Sequence, residues 1–255
     1  YFPDKPSRFV DWRPNGWVDS RSAIAKSSNI YFYAVGGGFE DIGGLGIKRL
    51  KDYWQKFKLD QKTGIDLPGE KSGFLPDPDE KEKRTGTIWR LGDTYNVSIG
   101  QGDFMITPLE LINYISSIAN GGKLYQPFVV KKITDEKGNL VKENSFIVIQ
   151  DNSYLLNSIK EVRKGMIDAV EKDYGTAHSL ADLPIKVAAK TGSAQIESNT
   201  KVNAFFVGFA PVDQSFETPK IAILVLVEDA KEGSLNAVPI AKDVLRWYYE
   251  NRIKP

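Results

Sequence analysis

Apolar positions recur at helical spacing through the first half of the chain and at strand spacing through much of the second. Over residues 21–35, Ile24, Ser27/Ser28 and Tyr31 fall three or four apart, and the run breaks at Gly36-Gly37-Gly38, which predicts one helix. Leu50, Tyr53, Trp54 and Phe57 share one face of a second helix over 46–57. Thr107-Pro108-Leu109-Glu110 supplies an N-cap, a first-turn Pro and a Glu at the third position. A helix is therefore predicted to start there, run to about Ala119 and stop at Asn120-Gly121-Gly122. Two further helices are predicted over 152–170 and 239–249. Residues 60–94 read as loop, with a turn at Leu67-Pro68-Gly69 and a solvated charge run over 77–84.

Beyond Pro127 the pattern changes to short strands at 128–133 and 146–149, around a turn at 135–139. Three strands then follow in a row: 185–195 (most regular over 187–195), 204–210 and 221–227. The last is apolar on both faces, which predicts a central or doubly covered strand. Helices, then a three-strand meander, then a closing helix over one face make an α+β domain, an antiparallel sheet flanked by helices. The first twenty residues are irregular, and Tyr1-Phe2-Pro3-Asp4-Lys5-Pro6 favours an extended lead-in. With neither an initiator Met nor a leader pattern, the chain reads as a piece of a longer polypeptide.

Charge and composition remove whole classes of function. Thirty-four Lys+Arg against 33 Asp+Glu leave a net charge of +1, so no basic field exists to hold a nucleic-acid backbone. The longest apolar run, 221–227, is far short of the roughly 20 residues a membrane helix needs. With no Cys and a single histidine, His178, neither disulfides nor metal sites nor His-based triads are expected, and no cofactor is implied. The glycines at 36–46 and 100–102 lack phosphate-cradle spacing and read as helix ends and turns, and His178 reads as an incidental loop histidine. Chemistry falls to Ser, Lys, Thr, Asn or carboxylates.

Two polar strings stand out, each with a duplicate. Ser27-Ser28-Asn29 has the form Ser-x-Asn, repeated at Ser234-Leu235-Asn236; Lys190-Thr191-Gly192 is repeated at Lys62-Thr63-Gly64. Context separates them. Lys190 continues an alternating strand, whereas Lys62 leads into a loop; Ser27 lies in a helical, aromatic segment, whereas Ser234 lies in a polar turn.

Ser27-Ser28-Asn29 and Lys190-Thr191-Gly192 resemble the two partner boxes of the acyl-transfer site in penicillin-binding proteins and class A β-lactamases. Around them, Asp11-Trp12, 25–33, 63–70, Ile99-Gly100-Gln101-Gly102, 107–111, 119–122, Gly175-Thr176-Ala177, 187–195 and 205–211 follow in order. This collinear set resembles the transpeptidase domain of the penicillin-binding protein 2 type, over about 11–246, so that residues 1–255 are expected to form part of such a domain. The resemblance implies a serine acyl-enzyme that cross-links peptidoglycan stem peptides and is inhibited by β-lactams. It implies that Ser27 relays protons to the leaving amine, that Asn29 donates to the bound peptide and that Lys190 supplies positive charge. Thr191 would bind the terminal carboxylate, Gly192 would let a substrate backbone lie along the strand, and the Ser193 N–H would form half of an oxyanion hole. Ser193 stands where the family usually has Thr.

The nucleophile motif of the family, Ser-x-x-Lys, is expected well before Ser27, with the first strands of the sheet, and so upstream of Tyr1. The sequence holds one such string, Ser198-Asn199-Thr200-Lys201, in a polar connection after the second box, and it reads as a chance match. The chain by itself is therefore expected to be inactive and to expose strand edges that upstream chain would cover. The resemblance also implies a glycosyltransferase partner of the cell-elongation machinery. It places the domain on the extracytoplasmic face of the bacterial inner membrane, its anchor outside the 255 residues. A D,D-carboxypeptidase or a β-lactam sensor would share the fold, although a sensor is expected to lack the region 65–108 as it stands. A non-catalytic scaffold module would share the walls of the site alone.

Overall fold

Asp19 opens the first helix, α1 (Ser20–Lys26), with a capping box in which its carboxylate accepts from the Ser22 N–H. Ser27 then turns left-handed at φ 55°, and Ser28 caps the next helix, α2 (Asn29–Gly37). The single helix predicted over 21–35 is thus two. Periodicity survives the break, but the Ser28 side chain takes the Tyr31 N–H and starts a new helix. This computed structural model describes residues 8–196, 201–213, 215–230 and 232–254; the first six residues and the Ser198 to Thr200 part of the rejected motif lie outside them.

The second helix, α3 (Gly46–Lys56), lies where the pattern puts it. The supposed loop at 60–94 holds two helices, α4 (Pro78–Thr85) and α5 (Leu91–Ser98). The charge run is a helix because its charges are ordered. Asp77 caps it, Pro78 opens it, Asp79 and Glu80 face the positive end, and Lys83 and Arg84 the negative end. Next, α6 (Pro108–Ala119) has its expected capping box, with Thr107 and Glu110 exchanging bonds. Two small antiparallel ribbons follow: β1 (Lys123–Tyr125) with β4 (Val148–Asp151), and β2 (Lys132–Thr134) with β3 (Leu140–Glu143). The strand expected over 128–133 is reduced to its end, because the Asp66 carboxylate takes the Val129 and Val130 N–H groups at 2.7 and 3.0 Å. A 3-10 turn, Ser153–Leu155, leads into α7 (Leu156–Glu171).

The main sheet is an antiparallel meander, β5 (Ala188–Ile196), β6 (Lys201–Ala210) and β7 (Ile221–Ala230), in the order β5-β6-β7. Thr191 pairs with Phe206, and Val207 with Leu224. β7 is therefore doubly covered but not central. Its Ile223 joins the core formed with Ala237, Val238, Ala241 and Leu245 of the last helix, α8 (Gly233–Tyr248), while Ala222 and Leu224 pack with Ile115 and Ile118 of α6. The central position belongs to β6, whose Phe206 and Phe209 are completely buried in the two opposite cores. Burial on that scale makes a Phe→Ala change there worth about 3–5 kcal/mol. α8 starts six residues before the Pro239 that the pattern takes as its first position. Its true start is fixed by packing: a Cβ on Gly233 would lie 2.5 Å from the Gly192 carbonyl oxygen, so only glycine lets the helix meet β5 this closely.

Candidate active site

The junction of α1 and α2 meets β5 across a cleft of about 660 Å³. β5 contributes Lys190, Thr191, Gly192 and Ser193, and the junction contributes Ser27 and Asn29. All six residues singled out in the sequence line this one cleft. The Lys190 ammonium donates to Ser27 Oγ at 2.7 Å, across 163 positions of sequence, and also to its neighbour's carbonyl, Thr191 O. Burial pushes the Lys190 ammonium down to about 8. A lysine so placed holds a proton that can leave near neutral pH, against a serine hydroxyl that can pass it on.

Thr191 is buried, and its hydroxyl donates to Thr176 Oγ1 at 2.8 Å. A pair of hydroxyls joined by one hydrogen bond keeps one proton for a third group. Thr176 itself lines the cleft and is held by its N–H on Ala25 O at 3.1 Å, which ties the loop before β5 to α1. Ser193 Oγ accepts from the Gly233 N–H at 3.1 Å, and Ser193 O accepts from Gln101 Nε2 at 3.2 Å. Gly192 is in extended strand, and a Cβ there would meet only Phe205 Cβ at 3.5 Å, an ordinary contact.

Behind Ser27 lies Asp11, whose carboxylate accepts from Ser28 Oγ at 2.7 Å and from the Asn29 N–H at 3.0 Å. Burial pulls this carboxyl upward, but bonds from Asn29, Ser28, Asn15 and Trp12 outweigh it and hold the group below the usual carboxylate range. Tyr33, also at the cleft, is pushed up by burial and then by the charge of Asp11.

Residue-level reasoning missed Thr176, Gln101 and the stretch from Glu232 to Ser234, all of which line the cleft. Gly100-Gln101-Gly102 does form a turn, with both glycines at positive φ, but that turn carries a side chain to the strand. The duplicate Ser234 is no remote turn: it stands in the first turn of α8 at the rim, its hydroxyl donating to Glu232. The close contact of Gly233 with β5 brings it there, and nothing in the tripeptide signals that. The other duplicate, Lys62-Thr63-Gly64, is elsewhere, folded around Glu70. His178 is exposed and bonds through Nδ1 to Val170 O at 2.9 Å, away from the cleft. Among the described residues no group of three or more His, Cys, Asp or Glu could hold a metal ion, and no helix is long and apolar enough to cross a membrane.

The family model for the penicillin binding protein transpeptidase domain matches residues 3–246. The chain belongs to that family. It is 32% identical to the peptidoglycan D,D-transpeptidase MrdA of Haemophilus influenzae, over 98% of this chain and 40% of the relative. It is likewise 32% identical to penicillin-binding protein 2A of Bacillus subtilis, over 95% of this chain and 36% of the relative. The chain thus spans about two fifths of the length of these curated relatives. Among solved structures it resembles penicillin-binding protein 2 of Helicobacter pylori, with a TM-score of 0.77 and 32% identity over 95% of this chain and 42% of that one. The Pseudomonas aeruginosa protein 2 in complex with WCK 5153 matches with a TM-score of 0.78 and 29% identity, over 99% of this chain and 54% of that one. The α+β architecture and the transpeptidase family read from the sequence both stand.

Proposed function

We propose that this chain forms the C-terminal part of the transpeptidase domain of a peptidoglycan D,D-transpeptidase, and that its cleft binds the stem peptide to be cross-linked. The observation that carries the reading is the 2.7 Å contact from the Lys190 ammonium to Ser27 Oγ, beside β5, an edge strand of the sheet. The nucleophile is a serine of a Ser-x-x-Lys segment outside the 255 residues. It attacks the peptide carbonyl as its hydroxyl proton passes to the lysine of its own motif, the amide C–N bond breaks, and Ser27 hands the leaving amine a proton through the network that Lys190 charges. Asn29 donates to the bound peptide. The substrate chain adds to the open edge of β5 along Gly192, its carboxylate meets the proton left over on the Thr191–Thr176 pair, and the Ser193 N–H faces the oxyanion. A β-lactam fills the same places as a mimic of the peptide.

The domain works on the extracytoplasmic face of the bacterial inner membrane, its anchor outside this chain, beside a glycosyltransferase of the elongation machinery. A relative 28% identical, solved in a peptidoglycan synthase complex coordinating polymerization and crosslinking, supports that partnership; the Helicobacter pylori protein was also solved with MreC.

Intact-mass spectrometry after incubation with a labelled penicillin tests the reading. The 255-residue chain should gain no mass, and a chain extended upstream through Ser-x-x-Lys should gain one adduct. A stoichiometric adduct on the shorter chain would move the nucleophile into it. No adduct on the extended chain would leave a scaffold module in place of an enzyme.

A further inference from the structure

Ser27 adopts φ 55°, a left-handed conformation uncommon for a residue with a Cβ, at a helix end whose carbonyls need partners. Two adjacent residues supply what that turn lacks. The Trp12 indole N–H is shared between Lys26 O at 3.2 Å and Ser27 O at 3.1 Å. Asp11 takes the Asn29 N–H and the Ser28 hydroxyl, and its own orientation is fixed by Asn15 Nδ2 at 2.9 Å and the Trp12 N–H at 3.0 Å. We propose that Asp11 and Trp12 are positioning residues, a clamp that holds the Ser27 turn in the one conformation from which its hydroxyl reaches Lys190.

Three observations separate this from ordinary packing. Trp12 is 52% exposed, so burial alone accounts for little of its placement. Its ring is fixed from outside by the Arg13 guanidinium, 4.4 Å from the ring centroid, while Arg13 donates to Tyr174 O at 2.8 Å. The clamp therefore reaches both walls of the cleft, since residue 174 lies two positions before Thr176. Asp11 borders the cleft, yet its two oxygens already accept four hydrogen bonds. A carboxylate so occupied orients a neighbour and does not abstract a proton.

The consequence for catalysis rests on the function proposed above, whereas the geometry can be tested without it. In the 255-residue chain labelled with ¹³C-lysine, NMR should show a nuclear Overhauser contact between the Lys190 ε-protons and the Ser27 β-protons, and a Lys190 titration below that of free lysine. Trp12→Phe keeps the ring and removes the one donor. It should weaken the Ser27 contact and raise the Lys190 midpoint by about one unit or more as water enters, with little change in melting temperature. Asp11→Asn should act in the same direction, and if it fails to fold Trp12→Phe carries the test alone. A fall in melting temperature with the Lys190 signals unmoved would overturn the clamp, and so would unmoved signals in a folded Trp12→Phe chain. In the extended chain, Trp12→Phe should slow penicillin acylation about tenfold or more while the non-covalent binding constant stays the same. A clamp-dependent Lys190 signal in a protein that never acylates would uphold the clamp and overturn the transpeptidase reading.

Discussion

Lys62-Thr63-Gly64 and Lys190-Thr191-Gly192 are the same three residues in two regions, and their surroundings give them opposite uses. Thr63 is buried under Glu70, whose carboxylate accepts from its N–H at 2.6 Å, from its hydroxyl at 2.7 Å and from the Gly64 N–H at 3.1 Å. Gly64 sits at φ +80°, a turn conformation, and Lys62 is exposed. In the other copy the chain is extended, the lysine is held inside against Ser27, and the threonine bonds to a second hydroxyl. In the first copy a carboxylate takes the threonine hydroxyl and the backbone donors of Thr63 and Gly64, and the lysine lies outside in solvent. Among the described residues no carboxylate bonds to the second copy: its lysine donates to Ser27 and to Thr191 O and its threonine to Thr176, which leaves one lysine proton and one hydroxyl proton facing the cleft. The two copies differ in hydrogen-bonding capacity, taken up by Glu70 in the loop and open to the cleft on the edge strand β5.

The comparison can be broken most sharply through the lysines. In the extended chain, Lys190→Ala should lower the rate of penicillin acylation by about a hundredfold or more, the usual scale for losing a proton-transfer group, whereas Lys62→Ala should leave it unchanged. Stopped-flow fluorescence with a labelled penicillin reads both. Equal effects would erase the distinction between the two copies.

The carboxylate is the next lever. Glu70→Ala strips three hydrogen bonds from the loop copy and leaves a buried threonine without its partner, a cost of about 2–4 kcal/mol in urea unfolding. Thr191→Val removes a single bond and should cost about 1 kcal/mol. Glu70 is pulled up by burial but held below its ordinary value by the Thr63 and Gly64 bonds. Its share of stability is therefore present above the unfolded carboxyl range and lost as pH falls through the lower, folded value. Acid unfolding of Glu70→Gln should lack that step.

Lys190 gives a slope of the same sign in a different, alkaline window. Its folded value of about 8 lies below that of an unfolded lysine, so between about pH 8 and 10 the unfolded chain holds more protons. Stability should rise with pH across that window, by on the order of 2 kcal/mol at most, and Lys190→Met should flatten the rise. Urea midpoints at pH 7.5 and 9.5 are enough to see it; a wild-type midpoint that falls would mean the lysine is not confined.

The smallest effects are at the glycines, and they sharpen the contrast in kind. Gly64→Ala should cost about 1 kcal/mol, because an L residue is strained at that φ. Gly192→Ala meets only an ordinary contact and should cost less than that, yet it should slow acylation by narrowing the edge where substrate lies. If Gly192→Ala changed stability more than Gly64→Ala and left acylation alone, β5 would be a structural strand rather than a docking edge.

Much of the molecule was legible in the sequence because the relevant interactions are short in range. The α6 capping box, the turn at 135–139, the alternation of β5 and the doubly apolar β7 each depend on residues within a few positions of one another. The two duplicates could be ranked for the same reason, since an alternating strand and a loop look different over ten residues. The ordered charges of α4 were equally local, and were missed by reading composition without polarity.

What only the tertiary structure decided depends on partners far away in the chain. The turn between α1 and α2, started locally by Ser28, is tied in place by Asp11 and Trp12, more than a dozen residues earlier, and the shortened β2 depends on Asp66, more than sixty residues earlier. Whether β7 is central depends on which strands lie beside it, and both of its faces look the same in sequence whatever the answer. Ser234 reached the cleft only because Gly233 touches Gly192. The sequence determined which residues could do acyl-transfer chemistry, because residue type sets what a side chain can donate or hold. The fold decided which copies meet across the cleft, because a hydrogen bond needs a partner about 3 Å away, and only folding brings residues 27 and 190 that close.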